Sequence, residues 1–196
     1  MPFLLAAGLG LVIGLVLGGR PSNLLEVRIR AWPLLVVPVA WRLAELAGGD
    51  EGGWQRAALP YAFPAVLLAL ALFAAWNWRL PALPLIAAGA ALNALVVIVN
   101  GGRMPIPLGL VRAIGGAHAA AQLAESGSAG TYTVLDAHTH LAWLADVMLL
   151  PGPLPRALSL GDVVLMVGLI AAITFLLNRS SPVLARFRLR PPSSVA

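Results

Sequence analysis

The sequence predicts an all-α integral membrane protein with five transmembrane helices and an outer loop region carrying short interfacial or re-entrant helices. Three observations predict it. Of the 196 residues, 60% are hydrophobic and only 11% charged, with mean hydropathy +0.88; an average soluble domain carries roughly 25% charged residues. Several apolar runs approach the ~20 residues that cross ~30 Å of hydrocarbon as a helix. The thirteen basic residues are all arginine and cluster at the ends of those runs, the pattern that orients membrane helices rather than the one that binds nucleic acid. Cysteine is absent, which removes disulfides, thiolate metal sites and cysteine nucleophiles together.

Residues 3–18 form the first span, read as a retained anchor because no basic segment precedes it. Gly10 and Gly14 have the spacing at which helix backbones approach closely, most simply within the same chain. Pro21, Ser22 and Asn23 stop that helix, and Arg20, Arg28 and Arg30 mark the following loop as cytoplasmic. The second span, 31–47, carries Arg42 and Glu45 on one helical face near its end, placed to reach the interface as a pair. Gly48 to Gly53 is an acidic, glycine-rich loop. The third span is 59–77, with Pro60 in its first turn. The fourth is 80–99, where Asn93 is the one polar interior residue and suits a hydrogen bond to a neighbouring helix. The fifth is 160–178, and the basic tail 181–196 is expected to be disordered.

Charge sets the orientation. With the N-terminus outside, the inner side holds Arg20, Arg28, Arg30, Arg79 and the tail arginines 179, 186, 188 and 190, against Arg56, Arg103, Arg112 and Arg156 outside. The C-terminus is then cytoplasmic and the protein sits in the cell inner membrane. Residues 101–159 form the extracytoplasmic region. Within it, 106–123 suits an amphipathic helix weakened at Gly115-Gly116, and 141–150 is apolar but too short to span, as in an interfacial or re-entrant helix.

Three places invite chemistry. Asp136, His138 and His140 share one face if extended and are metal-ligand types; they are the basis of a membrane metallohydrolase reading. Ser159-Leu160-Gly161-Asp162 reads as a capping box opening the last span. Arg103 is expected to pair with Asp146, Asp162 or both, pinning the loops over the bundle. Gly18-Gly19-Arg20-Pro21 parallels Gly101-Gly102-Arg103-Met104-Pro105 on the other side, a weak hint of the inverted repeats of transporters. No nucleotide loop, zinc-protease helix or nucleophile elbow is present, and no cofactor is indicated.

Gly18-Gly19-Arg20, the stretch Asn100-Gly101-Gly102-Arg103-Met104-Pro105, Thr139-x-Leu141-x-x-Leu144-Ala145-Asp146, and Ser159-x-Gly161-Asp162 together resemble an uncharacterised family of small bacterial membrane proteins, a domain of unknown function. The resemblance covers nearly the whole chain and brings no activity, substrate or cofactor. It implies that Asn100, Gly101, Gly102, Arg103, Met104, Pro105, Asp146, Gly161 and Asp162 are the positions that matter, and it asks for no histidine at 138 or 140. The expected function is a non-enzymatic membrane module or subunit, in the bilayer with a possible protein partner or second copy. A small transporter, or a binder of lipid or a small molecule, built on the outer-face corner of Arg103, Asp146 and Asp162 with Asn93 is the alternative.

Overall fold

In the computed structural model, residues 2–47, 54–152 and 155–179 are described. The acidic loop 48–53 and the tail 181–196 lie outside them, as do the side chains of Arg42, Glu45 and Arg56. Seven α-helices are found among the described residues: α1 (Pro2–Val16), α2 (Ser22–Leu25), α3 (Val36–Ala47), α4 (Trp54–Trp76), α5 (Leu83–Val99), α6 (Leu108–Ser126) and α7 (Leu160–Leu177). Two segments, Ala57–Trp76 and Leu160–Leu177, are long and apolar enough to cross a membrane; Pro2–Val16, Trp32–Trp41 and Leu83–Val99 are shorter apolar helices.

The long helices pack in the order α1–α7–α5–α4–α3. Close approaches fix their directions. Gly10 lies against Ile170 and Gly14 against Leu177, so α1 runs parallel to α7. Gly89 lies against Leu165 and Gly168 against Ile86, so α5 runs antiparallel to α7. The Gly10/Gly14 face therefore packs within the chain, as its spacing suggested. Arg30 N–H donates to Asn77 Oδ1 (2.8 Å) and Asn77 Nδ2 returns to the Arg30 carbonyl (2.8 Å), tying the segment that leads into α3 to the end of α4. Helix α4 begins earlier than the sequence suggests, at Trp54, which leaves Pro60 and Pro64 inside it.

The region between α5 and α7 departs from the all-α expectation. Residues 101–159 form a small mixed cap containing α6 and five short strands: β1 (Met104–Ile106), β2 (Ser128–Ala129), β3 (Tyr132–Val134), β4 (Met148–Leu150) and β5 (Arg156–Leu158). Strand β1 pairs parallel with β3, which pairs antiparallel with β2, while β4 and β5 form a separate antiparallel pair. Pro105 fits β1 because β1 is an edge strand, where a missing N–H is tolerated. The expected short helix at 141–150 is absent. A single 3-10 turn at Ala142–Leu144 is followed by β4, because an apolar run without helical periodicity satisfies its backbone equally well by pairing with β5. Helix α6 starts at Leu108 and is broken at Gly116 (φ 84°, ψ 177°), where the sequence placed its weakness.

Two apolar clusters hold the cap. Val96 and Val97 of α5 meet Met104 and Leu144 of the cap, with Phe63 and Leu67 of α4 alongside. Ile106, Leu123 and Ala157 form the cap's own core.

Candidate functional site

The signature stretch is the seam between bundle and cap. Helix α5 ends at Asn100, whose Nδ2 donates to the Val96 carbonyl (2.7 Å) and to the His140 carbonyl (2.9 Å), while Oδ1 accepts from His140 N–H (3.0 Å). One side chain thus caps a helix and clamps a loop forty residues away. Gly101 and Gly102 then take left-handed angles (φ +71° and +80°), which L side chains avoid. Gly102 also lies against the Pro60 carbonyl so closely that a Cβ would overlap it. That carbonyl has no helical N–H to receive, because the residue four positions on is Pro64. Two prolines four apart thus leave open a backbone position that a glycine fills.

The chain turns there into β1. Met104 N–H donates to the Thr131 carbonyl (2.7 Å), Leu135 N–H to the Ile106 carbonyl (3.0 Å), and Asp146 N–H to the Pro105 carbonyl (3.1 Å). Arg103 is delivered to the β2–β3 turn, where its guanidinium donates to the Gly130 carbonyl. The expected ion pair is therefore corrected: among the described residues Arg103 makes none with Asp146 or Asp162. The left-handed turn at 101–102 sends the arginine sideways to the cap's rim, while Met104 and Pro105 are buried.

Beneath this seam the start of α7 and the end of α5 share a polar cluster. Asp162 N–H donates to Ser159 Oγ (2.9 Å) and Ser159 N–H to Asp162 Oδ2 (3.2 Å), the capping box read from the sequence. Asn93 reaches across from α5: its Nδ2 donates to Asp162 Oδ1 (2.6 Å) and its Oδ1 accepts from Ser159 Oγ (2.7 Å). Both carboxylate oxygens of Asp162 are thereby satisfied. Gly161 is required because a Cβ would overlap Asn93 Oδ1.

Asp146 is different. It is 5% exposed, and its Oδ1 is buried with no hydrogen-bond partner. The Tyr132 hydroxyl is the neighbouring hydrogen-bonding group. Burial, and next the negative charge of Asp162, push the Asp146 carboxyl up to about 7; the Tyr132 bond pulls the other way. Burial and the Asp146 charge together push the Tyr132 phenol up to about 12. The cluster can hold or release a proton near neutrality, and the Tyr132 phenol stays protonated as a donor.

Tyr132 and Arg156 are the site residues that sequence reading missed. A signal existed for the first: Thr131-Tyr132-Thr133-Val134 after Gly130 has the β-branched and aromatic composition of a strand. The Asp136, His138, His140 trio is brought together differently from expected. The segment is a closed turn, not an extended strand: Asp136 Oδ1 accepts from His138 N–H (2.9 Å) and Thr139 Oγ1 (3.3 Å), and Asp136 N–H donates to Thr139 Oγ1 (2.9 Å). Among the described residues no three histidine, aspartate or glutamate side chains are grouped to hold a metal ion.

An uncharacterised protein of Thermotoga maritima is 31% identical over 91 residues, covering 46% of this chain. The match takes in 47% of that protein, so the chain spans about half the length of this curated relative. No solved structure matches the chain. A sequence profile for a family of unknown function, DUF5317, matches residues 26–174, from just after α2 to the last turn of α7 and through the whole seam and cluster, and the chain belongs to that family.

Proposed function

We propose that the chain is a five-span, non-enzymatic membrane module whose outer cap is fastened to the bundle by the Asn100–Pro105 seam. One observation carries the membrane reading. The helices turn large apolar side chains outward along their length: Leu5, Leu9 and Val12 on α1, Val36 and Val39 on α3, Leu68 and Leu72 on α4, Leu95 and Ile98 on α5, Val167 on α7. A soluble protein rarely exposes a contiguous apolar patch of more than a few hundred Å². The two longest apolar segments are only 22% and 28% buried, whereas the core helix of a soluble protein would be mostly buried. Lipid is the solvent that makes such a surface cheap.

Helix direction supports the five-span reading. α1 and α7 run parallel, α5 antiparallel to them and α4 antiparallel to α5, as Phe63 and Leu67 meet Val96 and Val97 while Ala71 meets Ala90; first, third, fourth and fifth passes would alternate in this way. Together with the arginine bias, it favours a cap on the outside and an α1–α2 turn in the cytoplasm. Four of the six residues from Asn100 to Pro105 make such a tether: Asn100 clamps His140, Gly102 seats on Pro60, Arg103 holds Gly130, and the Pro105 carbonyl receives Asp146 N–H. These contacts favour a structural module over a catalyst, in contact with lipid and with a protein partner or second copy as further candidates.

The chain has no cysteine, so single-cysteine labelling tests the topology cleanly. His138→Cys should react with a membrane-impermeant maleimide on intact cells, and Ser22→Cys only after permeabilisation. Equal labelling of both from outside would overturn the five-span reading.

A further inference from the structure

The kink in α6 makes a groove. Its first arm contributes Val111 and Ile114, its second Ala119 and Leu123, and between them the buried Ile106 of β1 forms the floor. The cavity is half-open and about 370 Å³, within the range of single-ligand sites. At its polar end stand Tyr132, whose hydroxyl is engaged with Asp146, and Arg156.

Arg156 decides the chemistry. It is exposed, it is the one cation among the described residues of the lining, and no aspartate or glutamate is among them. Among the described residues its guanidinium makes no hydrogen bond or ion pair, whereas that of Arg103 donates to the Gly130 carbonyl. An apolar trough ending at one unengaged guanidinium is complementary to a molecule with an apolar body and one negative charge. A doubly charged phosphate head would call for a second cation, and none is among the described lining residues.

We propose that this groove binds a single-chain amphipathic carboxylate of the fatty-acid class, its acyl chain along Ile106, Val111, Ile114 and Leu123 and its head at Arg156. The site lies in the cap, so it stands independently of how many helices cross the membrane. Arg156 supplies the charge-assisted contact, and the Gly115-Gly116 break lets the two arms of α6 adjust around the chain.

The test uses the full-length protein in nanodiscs of zwitterionic phospholipid, with empty nanodiscs as the partition control. Dodecanoate should bind saturably at one per protein, and dodecanol about tenfold more weakly. Arg156→Gln should bring dodecanoate down to the dodecanol level, and Arg156→Lys should restore most of the difference. Ala119→Phe, which fills the groove, should abolish both. If that variant does not assemble, the Arg156 pair decides alone. Dodecanoate binding that is unchanged by Arg156→Gln would overturn the proposal. So would the lack of any saturable excess over empty nanodiscs, the result expected if bulk phospholipid or a protein segment occupies the groove instead.

Discussion

Both ends of α7 are fastened by asparagine, but with different chemistry. At its C-terminal end Asn178 Nδ2 donates to the Gly14 carbonyl (2.9 Å), Asn23 Nδ2 donates to the Leu177 carbonyl (2.6 Å), and Arg20 N–H reaches the same carbonyl (2.9 Å). Each bond joins an amide to a backbone oxygen, and no titratable group takes part. At its N-terminal end Asn93 is bonded to a serine and a carboxylate, with a second, incompletely bonded carboxylate and a tyrosine close by. The C-terminal lock is neutral and indifferent to pH. The N-terminal one carries charge in a buried place, which costs free energy whenever that charge is unpaired. The Gly-Gly-Arg motif recurs at both ends, so the motif is a way of ending a helix, and the chemistry at each end is set by the side chains around it.

The largest effect should come from destroying the outer seam. Gly102→Val combines a left-handed backbone with overlap on the Pro60 carbonyl, and should cost more than about 4 kcal/mol. The cap should then become sensitive to limited proteolysis while the bundle stays protected. A protease-resistant cap in that variant would break the seam assignment.

Next in size is the pH response. The folded carboxyl of Asp146 titrates near 7 against an ordinary value of 3.8, so the folded chain keeps a proton that the unfolded chain has already released. Stability should therefore fall as pH climbs from about 4 to about 7 and level off above that. Asp146→Asn should flatten this slope in thermal melts, whereas Asn178→Leu should leave it intact. A slope that survives Asp146→Asn would locate the titrating group elsewhere.

Asn178→Leu itself should lower stability by about 1–2 kcal/mol through the lost bond to Gly14, roughly 2–8 °C in Tm for a chain of this size, equally at acid and neutral pH. The smallest effect belongs to Arg103→Ala, about 1 kcal/mol for one hydrogen bond to a carbonyl. Its melting curve should keep the wild-type pH slope, because the guanidinium does not face Asp146. A shifted slope would restore the ion pair that the sequence suggested.

Much of the bundle was legible because its signals are local. Ser159 and Asp162 lie three residues apart at the head of an apolar run, and that spacing alone specifies the capping box. Asn93 was readable as an interhelical donor because an amide in an apolar helix needs a partner. In the cap, helix α6 and its break at Gly116 were legible in the same way, but the strands were not, for the opposite reason. β1 and β3 are three residues each, pair across twenty-eight positions, and include a proline, so no window of sequence contains both partners. The 141–150 run failed likewise, since its pairing with β5 lies beyond Pro151 and Gly152. Arg103 was misassigned because charge complementarity says nothing about direction, which two left-handed glycines settle. Pro60 was read as a helix start when Trp54 is the start, because a proline is tolerated in both places once a neighbour takes up the free carbonyl.

The parallel packing of α1 on α7 has a consequence for how the protein is made. Helix α1 finds its neighbour in α7, synthesised well after it, and α5 packs against that same helix. Until α7 leaves the ribosome, the small-residue face of α1 and the amide of Asn93 have no native partner. The α3–α4–α5 layer can therefore pack as it emerges, while α1 is joined to it only through α7, and the nascent chain is most vulnerable to misassociation just before that helix arrives.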